Sequence, residues 1–280
     1  MTRQTRRKNM IFDLTSLGLL SISGEQAKKF LQGQLTCHVE EVTASQSRLG
    51  AHCNPQGRII SFFRLFMYGG DYYLQMPREL IPLAMQALQK YAVFFKVKLT
   101  DASNALQQIG YVGNELLDLP QHTDEQLSLD KLIIIRLPGT PARYQFMGEI
   151  SAIHAFQHQL NIPTVLGNFN VWKSIDIAHK IAAIYPETSE KFLPHDLHLP
   201  QLNAVSFTKG CYTGQEIIAR MQYRGKLKNH LQLVTTHMET LPIRGNDIYL
   251  EGKNSGNVVD FCQIDDNIYQ LLVVTQNNCQ

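Results

Sequence analysis

Between Lys209 and Glu216 the chain reads Lys-Gly-Cys-Tyr-Thr-Gly-Gln-Glu, a cysteine set in a turn with glycine on both sides. Ala204-Val205-Ser206-Phe207 before it is β-like, and Ile217-Ile218-Ala219-Arg220-Met221 after it has helical spacing. The stretch therefore asks for an extended run, a tight turn and a helix start in succession. Gly210 and Gly214 allow backbone conformations, or a close approach to a ligand, that a side chain would block. Unpaired N–H groups and the helix dipole favour the thiolate of a cysteine at such a place, and Lys209 supplies a nearby positive charge. The competing reading is an inert cysteine in a packing turn. The basic, polar and glycine-rich neighbours favour function.

The 280 residues can bury a large core and suffice for two or three domains. With 44% apolar and 18% charged residues the composition is that of a globular chain, not a disordered one. A formal charge of +2 argues against charge-driven nucleic-acid binding by the whole surface. Basic density is local: residues 207–230 hold five Lys/Arg against Glu216, net +4, whereas residues 231–280 come to net −4. The cysteines Cys37, Cys53, Cys211, Cys262 and Cys279 are scattered, with no C-x-x-C pair. That disfavours a zinc ribbon or redox dithiol and suits a reducing cytosol. No apolar run approaches the ~20 residues of a transmembrane helix, so no membrane partner is expected. Arg3, Arg6, Arg7 and Lys8 read as a frayed basic tail.

Along the chain, 17–22 reads as a strand, and Ser23 with Gln26 as a capping box opening a helix that buries Ala27, Phe30, Leu31 and Leu35. Strands follow at 47–53 and 58–68, then a Gly69-Gly70 hairpin into 72–76 and a helix from 78 to 91. Phe95, Val97 and Leu99 alternate with polar residues as a half-buried strand. This order resembles a ferredoxin-like unit with one extra strand. Strands at 106–112, 131–136 and 144–147, a helix from Glu149 to Leu160 with Ile150, Ile153 and Leu160 inward, and a helix from Trp172 to Ala182 suggest a second αβ unit. Short strand-like runs after Gly225, punctuated at Asn254-Ser255-Gly256 and Asp265-Asp266-Asn267, suggest a small antiparallel barrel. The expected fold is α+β: two ferredoxin-like αβ units and a C-terminal β-barrel, with domains at 1–103, 104–225 and 226–280.

The cysteine octapeptide resembles the signature of the YgfZ family of folate-binding proteins. These are relatives of the glycine-cleavage T-protein, an aminomethyltransferase, and are implicated in iron–sulfur cluster maintenance and tRNA modification. Phe30-Leu31-Gln32-Gly33-Gln34-Leu35-Thr36, Pro55-Gln56-Gly57-Arg58 and Tyr223-Arg224-Gly225-Lys226 resemble further motifs of that family, in order across the chain. The family reads Asn-Asp where this chain has Cys37-His38, Arg-Ile-Ala-Asn-Gly-Ile where it has residues 176–181, and Phe-x-Pro-Gln where it has Phe192-Leu193-Pro194-His195. The resemblance implies a T-protein-type fold with tetrahydrofolate, or a one-carbon derivative, in a central hole between domains.

A folate joins a flat pterin to an anionic glutamate tail, so its site needs an apolar or aromatic slot, polar groups and cations. Arg58, Arg220 and Arg224 are the cations named here, Tyr212 and Tyr223 the stacking rings, and Gln215 and Glu216 the pterin readers. For Glu216 the bland alternative is first-turn dipole stabilisation, worth ~0.5 kcal/mol. Cys211, with Lys209 beside it, is the catalytic candidate at the cavity rim. It would accept a one-carbon or sulfur-linked adduct, or ligate iron transiently or exchange with another thiol. His179, His195 and His198 lie upstream, where a structural role is the commoner one. His195-x-x-His198 with Asp196 has ligand chemistry, but Pro194 and Pro200 imply an extended loop, and no metal site is expected.

The leading expectation is a cytoplasmic, folate-dependent accessory protein that supports iron–sulfur cluster synthesis or repair and thereby tRNA modification. Its partners would be folate, iron–sulfur proteins or assembly factors, and tRNA. A folate-dependent one-carbon transferase is its enzymatic form. The alternatives are a true aminomethyltransferase acting on a lipoyl carrier, and a non-enzymatic tRNA-binding module using the basic stretch from Arg220 to Lys228.

Overall fold

The computed structural model describes residues 9–160, 163–225, 227–250 and 252–276. The basic tail, Lys226, Cys279 and the side chain of Leu160 lie outside the described residues. The first elements are β1 (Asn9–Asp13), β2 (Leu17–Ser23), α1 (Ala27–Gln34), β3 (Arg48–Cys53), β4 (Ile59–Tyr68), β5 (Asp71–Pro77), α2 (Ile81–Ala92) and β6 (Lys98–Asp101). Next come β7 (Gln107–Gly113), β8 (Gln126–Leu129), β9 (Leu132–Leu137), β10 (Ala142–Gly148), α3 (Ile150–Leu160), β11 (Thr164–Leu166), α4 (Phe169–Ala178) and α5 (Gln215–Arg224). The chain ends in β12 (Asn229–His237), β13 (Asp247–Leu250), β14 (Lys253–Asp265) and β15 (Ile268–Gln276).

Three sheets result. The first has the order β3-β4-β5-β2-β6, every neighbour antiparallel. The second runs β11-β1-β7-β10-β9-β8, with β1 parallel to β11 and antiparallel to β7. So β1, although it precedes β2 in the chain, belongs to the second sheet. The third is β12-β15-β14-β13. Gly69 and Gly70 both have positive φ, which makes the two-residue turn between β4 and β5.

Strands covered on both faces read as continuous apolar runs rather than alternating ones. In β4, Ile59 to Phe66 are all buried, as are all residues of β9 and β10. One face of the first sheet packs on α1 and α2 through Phe30, Leu31, Ala84 and Leu88. Its other face presents Leu19 and Phe66 to Ile133, Ile135 and Met147 of the second sheet. Amides stitch this seam: Gln75 Nε2 donates to Gln108 Oε1 at 2.6 Å, and Gln108 Nε2 donates to the Leu17 carbonyl at 2.9 Å. The connection from α4 to α5 lies along β4, where the Ile59 amide donates to Phe192 and the Glu190 amide to Ile59. Leu231, Val259 and Leu272 bring the third sheet into the core of the first.

Several expectations need correction. The helix begins at Ala27 without a side-chain cap, because Gln26 Oε1 is engaged by the Lys96 amide 2.8 Å away. Phe95 and Val97 precede β6 instead of lying in it. Ile150, expected inward, is 57% exposed at the start of α3. The Trp172 helix starts earlier, at Phe169, capped by Asn168, and stops at Ala178. Lys180 takes a left-handed φ there and Ile181 donates back to the Asp176 carbonyl, closing the helix. Asn254-Ser255-Gly256 is not a turn but part of β14, beside a register shift opposite Ile248 and Tyr249. The expected barrel is, among the described residues, an open sheet. Only four strands pair, and β12 and β13 remain its two edges.

Candidate functional site

The motifs that stood apart in sequence meet in space. Lys209 is buried, and its Nζ donates to the carbonyls of Leu35 at 2.7 Å and Cys37 at 2.9 Å. Burial pulls its pKa down from the usual lysine value to about 8. The Thr213 amide donates to the Gly33 carbonyl at 3.2 Å and Thr213 Oγ1 to Gln34 Oε1 at 3.2 Å. Thr36 Oγ1 donates to the Ala204 carbonyl at 2.6 Å, and the Ser206 amide returns to Thr36 at 2.8 Å. Residues 204–207, expected as a β-like run, are instead an irregular segment with bends at Val205 and Phe207. Gly214 caps α5 with φ +82°, where a Cβ would stand 2.6 Å from the Asn54 carbonyl. Gly57 has φ +76°, and a Cβ there would be 3.1 Å from Ile217. The end of α1, the β3–β4 turn and the cysteine loop therefore form one latch.

This latch presents Cys211 to solvent. The sulfur-bearing residue precedes the Gly214 cap by three positions, outside the first helical turn where the dipole acts. Gly210 has no positive φ and nothing within 4 Å of a built Cβ, so it is Gly214 and not Gly210 that the turn requires. Tyr212 is buried with its hydroxyl unpartnered, and burial pushes its pKa well up. Gln215 is half-buried, while Glu216, Arg220 and Arg224 are exposed. Tyr223 is exposed and meets Phe207 edge-on at 5.9 Å. Arg58 is exposed and donates to the Lys191 carbonyl at 2.5 Å.

The histidines have structural partners. His179 Nδ1 donates to the Ile175 carbonyl at 2.8 Å at the end of α4. His198 Nε2 accepts from the Leu231 amide at 3.3 Å. His195 is buried, 3.2 Å from Gln222 Oε1, with its pKa lowered chiefly by burial. Among the described residues, no three His, Cys, Asp or Glu side chains are grouped to hold a metal.

A cavity of about 410 Å³ lies where the three sheets and α4 meet, within the range of small-molecule sites. Trp172 is 1% exposed and forms part of its wall. The Arg143 guanidinium lies 3.8 Å from the centroid of the indole and grips Asp176 at 2.6 and 3.0 Å. Phe12 tilts against the indole at 5.5 Å, and Gly110 leaves it room, since a Cβ there would come within 2.4 Å. Gln145 also faces the cavity, fully buried, with its Nε2 unpartnered. Phe62, Phe63 and Phe261 add apolar wall.

None of Lys209, Cys211, Tyr212, Gln215, Glu216, Arg220, Tyr223, Arg224 or Arg58 lines this cavity. Sequence reasoning passed over Trp172, Arg143 and Gln145. A tryptophan at helical spacing and polar residues in a strand carry no site signal until two sheets are brought together.

Residues 2–136 match the GCVT N-terminal domain family. The tRNA-modifying protein YgfZ of Colwellia psychrerythraea is 32% identical over 96% of this chain and 86% of that protein. The chain belongs to the YgfZ family. The YgfZ proteins of Klebsiella pneumoniae and Yersinia pseudotuberculosis are 31% and 29% identical over 96% of this chain and 85% and 84% of their own lengths. The glycine cleavage system aminomethyltransferase T of Bartonella henselae superposes with a TM-score of 0.72 at 17% identity, over 96% of this chain and 79% of that one. This YgfZ-family chain therefore has the mixed αβ fold of that aminomethyltransferase. Among the described residues, no helix is long and apolar enough to cross a membrane.

Proposed function

We propose that this chain is a folate-dependent accessory protein that supports iron–sulfur cluster synthesis or repair and, through it, tRNA modification. The observation that carries the reading is the central cavity: aromatic wall from Phe62, Phe63 and Phe261 together with an unpartnered buried amide, Gln145. That pairing fits a pterin, whose flat ring stacks and whose heteroatoms accept hydrogen bonds. Phe62 and Phe63 would hold the ring, with Trp172 packed in the wall behind, and Gln145 Nε2 would donate to it. Bound folate would supply one-carbon chemistry. This chain's residues bind it, orient it and keep water out.

Cys211 acts apart from that cavity, as an exposed thiol open to exchange with a partner. The relatives' name supplies the tRNA connection. Within the fold, the order β6-β2-β5-β4 with helices α1 and α2 supports reading residues 17–103 as a ferredoxin-like unit with β3 added at the edge, while β1 joins the second unit. Residues 104–225 then form a second αβ module and 226–280 the C-terminal one.

Titration calorimetry with tetrahydrofolate, paired with complementation of cells lacking the protein, tests this. Cys211→Ala is expected to bind tetrahydrofolate as the parent does and to fail to restore iron–sulfur-dependent tRNA modification. Full restoration would remove the thiol from the mechanism. The absence of binding heat in both proteins would remove the folate.

A further inference from the structure

The wall of the central cavity holds a buried cluster in which two cations share one carboxylate. Lys173 and Asp260 are both buried there, with Lys173 Nζ 2.6 Å from Asp260 Oδ1 and 2.6 Å from the Tyr185 hydroxyl. Asp260 is already engaged: Oδ1 accepts from the Phe261 amide at 2.9 Å and Oδ2 from the Ala183 amide at 3.0 Å. Arg244 Nε is buried and stands 3.5 Å from Asp260 Oδ1, beyond hydrogen-bond reach of a saturated oxygen. Tyr185 stays neutral, because burial and then the adjacent Asp260 push its pKa well above the ordinary tyrosine value. One carboxylate thus faces two cations. Arg64 and Asp176, also in the wall, are paired with Asp124 and Arg143, and Glu79 is an exposed carboxylate in the wall, open to solvent screening.

The Arg244 guanidinium carbon lies over the Tyr185 ring, 3.6 Å from its centroid, and 4.8 Å from that of Phe261. Among the described residues, its terminal nitrogens make no hydrogen bond to protein. A planar guanidinium with a free edge is suited to taking a carboxylate on two parallel N–H groups. Lys173 follows Trp172 directly on α4, so one helix supplies both the indole of the wall and a cation of the cluster.

We propose that Arg244 is the anion-reading residue of this cavity and selects ligands that carry a carboxylate, such as the glutamate tail of a folate. This rests on the folate reading above. It places the cation on the third sheet's side of the cavity and not among the arginines of the cysteine loop.

Calorimetry on the parent protein, Arg244→Gln and Arg244→Lys tests it with three probes: tetrahydrofolate, a tetrahydropterin lacking the glutamate tail, and p-aminobenzoyl-glutamate. Thermal melts of the variants accompany the titrations. Arg244→Gln is expected to weaken tetrahydrofolate on the order of 10- to 100-fold, the worth of a charge-assisted hydrogen bond. Arg244→Lys should fall between, since it keeps the charge and loses the fork. The tailless pterin should bind all three proteins alike. If tetrahydrofolate binds Arg244→Gln as it binds the parent, or the tailless pterin weakens equally, the Arg244 assignment fails while the folate reading stands. If neither pterin binds the parent, the folate reading fails. The Arg244 assignment then survives only if p-aminobenzoyl-glutamate binds the parent and not Arg244→Gln. Should Arg244→Gln melt before titration, Arg244→Lys against the two pterins decides the question.

Discussion

His52 shows how much one buried side chain can govern. It is fully buried on β3, neither ring nitrogen has a partner, and its nearest ring is Tyr91, edge-on at 6.5 Å. Burial, with Lys90 adding a smaller repulsion, lowers its pKa to about 4 from 6.5. The unfolded chain takes up a proton near pH 6.5 that the folded chain refuses until about pH 4. Stability is therefore greatest above pH 6.5 and falls as the pH drops toward 4, by ~3 kcal/mol in total. Chemical denaturation across this range should show that slope in the parent and a flatter one in His52→Leu. An unchanged slope in the variant would assign the acid sensitivity to other groups. From sequence His52 drew no notice, because a histidine in an apolar strand has no pattern that distinguishes neutral burial from exposure. Trp172 and Arg143 were opaque for a related reason. Their meaning comes from a 3.8 Å contact between a strand and a helix, made by residues 29 positions apart in the sequence.

At the scale of elements, the latch around Cys211 was largely legible. The turn and helix were readable from composition and spacing, and so were the glycine turn between β3 and β4 and the apolar face of α1, whereas the β-like run at 204–207 proved to be a bent segment without a strand. What could not be read is which glycine the turn needs, because φ at 210–214 is set by docking against Asn54 and Gly33. Gly214→Ala would force a side chain into a left-handed position and against the Asn54 carbonyl. It should cost at least ~1–2 kcal/mol of stability. Gly210→Ala meets open space and should stay within ~0.5 kcal/mol of the parent. Paired thermal or denaturant unfolding of the two variants measures this. Equal losses would mean that the loop does not dock as described. The capping box at Ser23 and Gln26 failed for a similar reason, since a tertiary partner, the Lys96 amide, claimed the glutamine.

For the whole molecule, the αβ class and the family were legible, whereas the cavity between the three sheets was not. Cationic density along the sequence pointed to Arg220 and Arg224, which stand in solvent on α5. The cavity is instead built by residues from β4, β10, α4 and β14, each read in isolation as ordinary core. The C-terminal strands were recognisable, but their closure into a barrel depended on a pairing between β12 and β13 that, among the described residues, does not form. The claim that ligand enters between the sheets has a built-in reporter, because Trp172 is the chain's single tryptophan and sits in the cavity wall. Tryptophan emission should be followed during titration with tetrahydrofolate, corrected for ligand absorbance, on the parent and on Arg224→Ala. The expected result is a saturable change in emission with the same midpoint in both proteins. Calorimetric binding that leaves the emission untouched, or that disappears in Arg224→Ala, would contradict the central cavity as the site.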